Sequence, residues 1–249
     1  MRSQINRREF CAFAGSTLAA VSSACSASSG TEIGNDGRLT VRQRAGVKTN
    51  ATGRIKLERD SILQVPGIAS SATCPLLVML HGATQNAEDM FEYLGSAHEE
   101  AGVAVLAPNA RETTWDAIRG SFGADVEFLN RIIGRVFETV AVDPGRVTIG
   151  GFSDGASYGL SLGLINGDLF SRVAAFSPGF VIEGPPHGKP RIFISHGTKD
   201  HILPINSCGR RVAAGLKASG YDVTFREFDG DHEIPPEVAR EGLKWVAAS

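Results

Sequence analysis

The segment RVTIGGFSDGAS, from Arg146 to Ser157, decides how the rest of the chain is interpreted. Its first half is apolar and β-branched, which predicts a strand, and small and apolar residues at helical spacing follow Ser153. Gly151 and Gly155 flank Ser153 at two-residue spacing. A strand, a sharp glycine-lined turn and a helix form the context in which a serine becomes an exposed nucleophile. The chain contains 29 glycines, so the motif needs support from partner residues elsewhere.

Length and composition indicate one globular domain. The chain has 249 residues, of which 42% are hydrophobic and 21% are charged. A chain of this size buries enough surface to fold without disulfides or metal ions. The formal net charge of -2 gives no sign of a nucleic-acid partner. No apolar run is long enough to cross a bilayer.

The first thirty residues differ in composition from the rest. MRSQINRREF is basic, CAFAGSTLAAVSSA is mildly apolar, and SASSGTEIGNDG is rich in small polar residues. This order is typical of a signal peptide followed by a linker. The Arg7-Arg8-x-Phe10 pattern resembles a twin-arginine export signal. We therefore predict an export signal and flexible linker over residues 1–30 and one catalytic domain over residues 31–249.

Cys25 closes the sequence VSSAC just before the linker. This resembles a lipoprotein cleavage site, although Ser22 stands where such sites prefer leucine. Lipidation would anchor the protein to a membrane through Cys25. The alternatives are simple cleavage near Ala24 or Ala27, or an unprocessed basic N-terminus. The export readings predict a periplasmic or cell-surface protein.

The two cysteines of the main domain are predicted to be free thiols. Cys74 precedes a predicted strand, and Cys208 lies early in a helix that follows another strand. Opposite ends of a parallel strand are roughly 20 Å apart, which is beyond the reach of a disulfide. The chain has no CxxC pair and no Cys/His cluster, so we predict neither a metal site nor a cofactor.

Strand-like and helix-like segments alternate along most of the chain. GRLTVRQRA and RIKLERDSILQVP are predicted to be two strands without a helix between them, forming an antiparallel edge. The later predicted strands are PLLVMLHG, VAVLAPNA, RVTIGGFS, RVAAFSPGF, RIFISHGTKD and DVTFREFDGDH, and the predicted helices span 86–102, 124–140, 156–167, 207–219 and 235–248. Such alternation predicts a mostly parallel sheet with helices on both faces.

Polar residues and glycines follow four of the predicted parallel strands. These segments are 81–86, 153–155, 196–200 and 229–232. The carboxyl ends of parallel strands meet at one edge of a sheet, where ligands and catalytic groups collect. We therefore expect these four segments to form one site.

Ser153, His232 and Asp200 are the predicted catalytic residues. A serine hydroxyl is a poor nucleophile unless a base takes its proton, and His232 is the candidate base. Asp200 would orient the imidazole and stabilise its protonated form. Asp229 and Asp231 are rivals, but neighbours in sequence rarely reach the far nitrogen of the ring. The other five histidines are predicted to be structural or solvated: His81, His98, His187, His196 and His201.

The combined motifs resemble the α/β-hydrolase superfamily. Gly-Phe-Ser-Asp-Gly, Gly-Thr-Lys-Asp and Gly-Asp-His follow one another in the order serine, aspartate, histidine. LHGATQNA and DPGRVTIGGFS further resemble the carboxylesterase/phospholipase and polyhydroxybutyrate-depolymerase-like esterases. The resemblance covers the chain from about residue 50 to its end. It implies an α/β-hydrolase fold whose mostly parallel sheet has an antiparallel N-terminal edge.

This resemblance also implies an oxyanion hole formed by the amides of Ala83 and Asp154. Trp115 is predicted to line a substrate pocket, and Phe122 and Phe180 are weaker candidates because loop aromatics often complete the core. Asp125 opens a predicted helix and is expected to cap it. The short segment from Gly179 to Pro190 leaves no room for a large lid.

These expectations predict a serine hydrolase that cleaves small-molecule or polymer carboxylic esters through an acyl-enzyme. The alternatives are a thioesterase or peptidase of the same fold, or a non-catalytic, surface-anchored binding module. The peptidase alternative would lack the extra domain that selects peptides in the prolyl-oligopeptidase type. The binding module would leave the predicted triad unused.

Overall fold

A computed structural model describes residues 36–43, 46–47, 51–67 and 73–248. The predicted export signal, the linker, its boundary near residue 30 and the lipidation of Cys25 lie outside these residues. Within the described part of the chain, no helix has the length and apolar character needed to span a bilayer.

Eight strands form one sheet in the described residues. They are β1 (Gly53–Lys56), β2 (Ile62–Val65), β3 (Cys74–Leu80), β4 (Ala104–Ala107), β5 (Val142–Phe152), β6 (Arg172–Phe176), β7 (Arg191–Gly197) and β8 (Val223–Phe228). The strand order is β1-β2-β4-β3-β5-β6-β7-β8. β1, β2 and β4 pair antiparallel, and the remaining pairs are parallel. The predicted sheet with an antiparallel N-terminal edge is confirmed.

Helices cover both faces of this sheet. They are α1 (Ala87–Leu94), α2 (Ala97–Ala101), α3 (Asp116–Arg119), α4 (Ala124–Thr139), α5 (Asp154–Ile165), α6 (Gly209–Ala218) and α7 (Pro236–Ala247). One hydrophobic cluster lies between the sheet and α4, α5 and α6, and a second lies under α1, α2 and α7. The predicted helix over 86–102 is two helices, because Gly95 interrupts it at φ 52°.

The prediction of a strand in GRLTVRQRA is wrong. Residues 37–43 belong to no strand. The Leu39 amide donates to Asn166 Oδ1 at 2.8 Å, and the Val41 amide donates to Asn130 Oδ1 at 2.8 Å. Because side-chain amides satisfy these backbone donors, the segment needs no neighbouring strand. RIKLERDSILQVP supplies both edge strands, with a 3-10 turn at Glu58–Asp60 between β1 and β2.

The prediction that Asp125 caps a helix also needs correction. Gly123 occupies the N-cap of α4, and Asp125 is buried one position inside the first turn. Its carboxylate accepts from the Arg111 amide at 3.0 Å and from the Asp116 amide at 3.1 Å, and it pairs with Arg59. Burial raises the pKa of the Asp125 carboxyl. Asp125 therefore fixes the segment before α4 at two points, Arg111 and the start of the short helix α3 at Asp116.

Cys74 and Cys208 are both buried and free, as predicted. Burial raises the pKa of the Cys74 thiol, which keeps it protonated and unreactive. Both residues serve as small apolar side chains in the core.

Three histidines are buried in this fold. His81, His98 and His196 have 2%, 7% and 0% of their surface exposed. Burial lowers the pKa of each imidazole from the ordinary 6.5. Their protonation is therefore easier in the unfolded chain than in the folded one.

We expect the free energy of unfolding to fall between about pH 7.5 and about pH 5, because the unfolded chain binds protons that the folded chain refuses. The pKa of the Asp168 carboxyl is lowered chiefly by its hydrogen bond with Arg38, so that ion pair persists across this window. Urea unfolding at both pH values measures the difference. His98→Gln removes one of the three histidines far from the triad and should reduce the loss; an unchanged or larger loss would contradict the explanation.

The segment at residues 37–41 should contribute to stability through Asn166 more than through Asn130. The buried Asn166 amide accepts from Leu39 and donates to the Gly37 and Leu162 carbonyls. Asn166→Ala leaves these buried groups unpaired and should lower the free energy of unfolding by about 2–3 kcal/mol. Asn130→Ala is the matched control, since water can reach its partner at exposed Thr40. Equal losses in urea unfolding would count against this explanation.

Candidate active site

Ser153 stands at the junction of β5 and α5. Its backbone has φ 56° and ψ -118°, in the region that disfavours side chains. The Ser153 amide donates to the Phe176 carbonyl at 3.0 Å, which ties the turn to the end of β6. This turn presents the hydroxyl above the carboxyl end of the sheet and at the N-terminus of α5, where free amides favour negative charge.

Gly151 and Gly155 allow α5 to begin very close to β3. A Cβ atom at Gly151 would lie 2.5 Å from the Leu80 carbonyl oxygen. A Cβ atom at Gly155 would lie 2.2 Å from the same oxygen. Any larger residue would force the turn open, so both glycines are required by the close approach of backbones. The spacing noted in the sequence therefore has a steric cause.

The structure brings Ser153, His232 and Asp200 together from three separate loops. His232 Nε2 lies 2.8 Å from Ser153 Oγ, and His232 Nδ1 lies 2.7 Å from Asp200 Oδ2. The carboxylate only accepts, so the ring proton is on Nδ1 and the serine hydroxyl donates to Nε2. The His232 ring also packs on Phe152 with centroids 4.8 Å apart. The three groups form one line of hydrogen bonds.

The Asp200 carboxylate is buried and held by the backbone that follows it. Its Oδ1 accepts from the Ile202 amide at 3.0 Å and from the Leu203 amide at 2.7 Å. This leaves Oδ2 directed to His232.

The rival aspartates have other partners. Asp229 pairs with Lys199 at 2.7 Å, and Asp231 pairs with His201 at 2.6 Å. Asp231 meets His232 through the backbone amide, at 2.8 Å. The geometry therefore selects Asp200 as the carboxylate on the ring of His232.

The loop after β3 lies against the serine. A Cβ atom at Gly82 would lie 3.2 Å from Ser153 Cβ. His81 orders this loop: its ring donates from Nδ1 to the Gly82 carbonyl at 2.7 Å and accepts at Nε2 from the Ala110 amide at 3.0 Å. Both bonds require a neutral ring, and burial lowers the pKa of His81 accordingly.

Ala83 and Asp154, the predicted oxyanion residues, directly follow Gly82 and Ser153, the two residues that approach each other here. The residue after Ala83, Thr84, is fixed by a hydrogen bond from its amide to the Thr113 carbonyl at 2.7 Å. Asp154 is the first residue of α5, so its amide takes no part in the helical ladder. Both amides are thus placed on backbone that borders Ser153.

The sequence analysis missed a tether on Asp154. Its carboxylate accepts from Thr114 Oγ1 at 2.7 Å and so fixes the loop before α3 to the start of α5. No local pattern could have indicated this bond, because the two residues are 40 positions apart.

The structure places Trp115 in the core and not in a pocket. Its side chain is 0% exposed, stacks on Tyr158 at 5.4 Å and donates from Nε1 to the His81 carbonyl at 2.9 Å. The predicted substrate contact is therefore replaced by a packing role beneath the His81 loop. Phe122 is also buried, whereas Phe180 is 37% exposed.

The described residues contain no group of three or more His, Cys, Asp or Glu side chains placed to hold a metal ion. The groups that the site does offer are a hydroxyl, an imidazole, a carboxylate and backbone amides. These are sufficient for nucleophilic acyl transfer.

Comparison with known proteins agrees with this geometry. The phospholipase/carboxylesterase family model matches residues 119–247, which is more than half of the chain. The chain is 29% identical to NocK of Nocardia uniformis subsp. tsuyamanensis over 53% of its length and 42% of that protein. It is also 29% identical to acyl-protein thioesterase 1 of Emericella nidulans, over 41% of its length and 46% of that protein.

The chain thus spans less than half the length of these two relatives. Among solved structures, the Bacillus cereus carboxylesterase superposes with a TM-score of 0.59 at 19% identity, covering 75% of this chain and 92% of that one. This likeness shows a shared fold. With the family match, it shows that the chain belongs to the phospholipase/carboxylesterase family and has an α/β-hydrolase fold.

Proposed function

We propose that this enzyme hydrolyses carboxylic esters with Ser153 as nucleophile, His232 as general base and Asp200 as the residue that orients the base. The line of hydrogen bonds at 2.8 Å and 2.7 Å through His232 carries the proposal. It supplies the one feature that an isolated serine lacks, which is a base aligned to take its proton.

The reaction proceeds in two steps on the same residues. Ser153 Oγ attacks the ester carbonyl while its proton passes to His232 Nε2, and the resulting tetrahedral intermediate expels the alcohol, which takes that proton. The acyl group is then bound to Ser153. Water attacks this acyl-enzyme after giving a proton to His232, and collapse of the second intermediate releases the acid and restores the serine hydroxyl.

The amides of Ala83 and Asp154 are proposed to bind the oxyanion that forms in both steps. Each donor acts mainly on the transition state, where the carbonyl oxygen becomes negative. Losing one such donor typically costs about 3 kcal/mol of transition-state stabilisation. The tether from Thr114 and the bonds of His81 hold the surrounding backbone before substrate binds.

The rim of the site indicates an apolar acyl or aryl group in the substrate. Phe180 and Ile202 are exposed by 37% and 58% and are the large exposed hydrophobic residues of the described chain. They lie on the segments that follow β6 and β7. Phe180 directly follows Gly179, whose amide donates to Ser157 Oγ at 2.9 Å. Ile202 directly precedes Leu203, whose side chain would lie 3.4 Å from a Cβ atom at Gly179. Ser157 is one helical turn from Ser153, so this apolar rim borders the nucleophile.

A groove runs from Phe180 past the C-terminal end of α5 and along α6. Residues 177–190 connect β6 to β7 without a helix, which leaves a cavity of about 610 Å³ between the two helices. Its apolar lining includes Leu164, Ile165, Val212, Leu216 and Tyr221. We propose that the chain of an extended acyl group occupies this groove.

A thioesterase is the second candidate function. The relationship to acyl-protein thioesterase 1 supports it. The same serine and base would attack a thioester, whose thiolate leaves more easily than an alkoxide. Hydrolysis rates for an oxygen ester and a thioester with the same acyl group distinguish the two substrates.

Ser153→Ala should abolish labelling by a fluorophosphonate probe and reduce hydrolysis of p-nitrophenyl acetate by roughly four orders of magnitude. The reason is loss of the hydroxyl that is aligned with His232 Nε2. Ser157→Ala is the control, because this hydroxyl bonds to the Ser153 carbonyl and the Gly179 amide and not to His232, so probe labelling should stay intact. Labelling of Ser153→Ala, or a folded wild type that takes no label, would contradict the proposed nucleophile.

Gly215→Leu should selectively slow the hydrolysis of long-chain esters. Gly215 lines the groove, and nothing lies within 4 Å of a Cβ atom there, so a leucine side chain fits and fills the groove. We expect kcat/KM for p-nitrophenyl decanoate to fall about tenfold, with p-nitrophenyl acetate unchanged. Lys217→Leu adds the same side chain on α6 outside the groove and should have no such effect. Equal loss on both esters would exclude the groove as the acyl site.

A further inference from the structure

His196 lies beside the carboxylate of Asp200 on the side opposite solvent. It is the next-to-last residue of β7 and has 0% of its surface exposed. Its Nε2 lies 2.7 Å from the Leu203 carbonyl oxygen and 3.2 Å from Asp200 Oδ2. Both neighbours are oxygen acceptors, so the ring must carry its proton on Nε2.

This N–H contacts Asp200 by two routes. It donates to the carbonyl of Leu203, and the amide of the same residue donates to Asp200 Oδ1 at 2.7 Å. The positive end of the N–H dipole also lies next to Oδ2, the oxygen that accepts from His232. A single imidazole therefore affects both oxygens of the carboxylate.

The position is costly for the fold, which argues against simple packing. His196 Nδ1 is buried and has no hydrogen-bond partner, and an unpaired buried acceptor of this kind costs about 1–3 kcal/mol. A Cβ atom at residue 209 would lie 2.5 Å from Nδ1, so only Gly209 makes room for the ring at the start of α6. An apolar side chain at 196 would avoid the unpaired nitrogen.

We propose that His196 is a positioning residue for Asp200: its neutral imidazole fixes the turn that binds Oδ1 and moderates the negative charge that Oδ2 presents to His232. This inference rests on the proposed function, because it assigns His196 a role in the same triad. Burial lowers the pKa of the His196 imidazole, which agrees with a ring that stays neutral while His232 exchanges protons.

The proposal predicts a direction for the pH dependence of activity. Without the His196 N–H, the full charge of Oδ2 acts on His232, and the protonated form of His232 is favoured. The acid limb of the kcat/KM profile then moves to higher pH. A residue that merely fills space would lower activity without moving this limb.

Few other titratable groups face these residues. Glu227 on β8 faces His196 and pairs with Arg210 at 2.6 Å, while Asp231 meets His232 through its backbone amide. The Glu227–Arg210 and Asp231–His232 contacts do not involve the side chain at position 196. A shift in the pH profile is therefore assignable to the contact with Asp200.

The test compares His196→Leu with His196→Gln, using p-nitrophenyl acetate across the pH range in which activity rises. His196→Leu removes the donor and should move the acid limb upward by about half a pH unit. In His196→Gln the amide nitrogen reaches nearly the same place as Nε2 and should restore the wild-type limb. His201→Gln, which changes an exposed histidine beside Asp200, should leave the profile unchanged.

An unmoved limb in folded His196→Leu, or a limb moved to lower pH, would overturn the proposal. Nitrogen-15 NMR of the wild type provides a second test that needs no variant: His196 protonated on Nε2 supports the proposal, and protonation on Nδ1 overturns it. These failures differ from failure of the proposed function, which would appear as probe labelling or esterase activity that does not depend on Ser153.

Discussion

The strained backbone of Ser153 is the constraint on which the rest of the site depends. A non-glycine residue at φ 56° costs about 1–3 kcal/mol, and the strain persists because the surrounding backbone leaves no other path. β5 must turn directly into α5 beneath the Leu80 carbonyl, where only Gly151 and Gly155 fit. Backbone packing thus sets the direction of the Ser153 hydroxyl, and the loops of His232 and Asp200 place their side chains in line with it.

The electrostatics of the site follow from how its polar groups are buried. Backbone amides bind one oxygen of the buried Asp200 carboxylate, and two imidazoles contact the other. His81 stays neutral because both ring nitrogens are engaged with the backbone and its surroundings are apolar. Asp200 is therefore the one carboxylate that accepts from the His232 ring, and it stabilises the ring while the ring holds the proton from Ser153.

The parts of this structure that depend on neighbouring residues were predictable from the sequence. The β5–α5 turn is one example, because Gly151, Ser153 and Gly155 carry its steric requirements within five positions. The absence of a strand at Leu39 was not predictable, since the Leu39 amide bonds to Asn166, which lies 127 positions away. The burial of Trp115 likewise depends on distant Tyr158, and its loop position alone suggested exposure. Local chemistry and the chain order of the motifs were visible in the sequence, whereas these two long-range side-chain contacts were not.

The strand register explains how the base and its carboxylate come within hydrogen-bond distance. β7 and β8 pair in parallel, with Gly197 opposite Phe228. Asp200 lies three residues after Gly197, and His232 lies four residues after Phe228, so both follow the same aligned pair. The loop of His232 packs directly on β7, because a Cβ atom at Gly197 would lie 2.2 Å from the Asp231 carbonyl oxygen. The side chains of Phe180 and Ile202 are instead exposed, so packing does not fix them in this way. The catalytic geometry is therefore a property of the sheet, whereas the apolar rim can change without disturbing it.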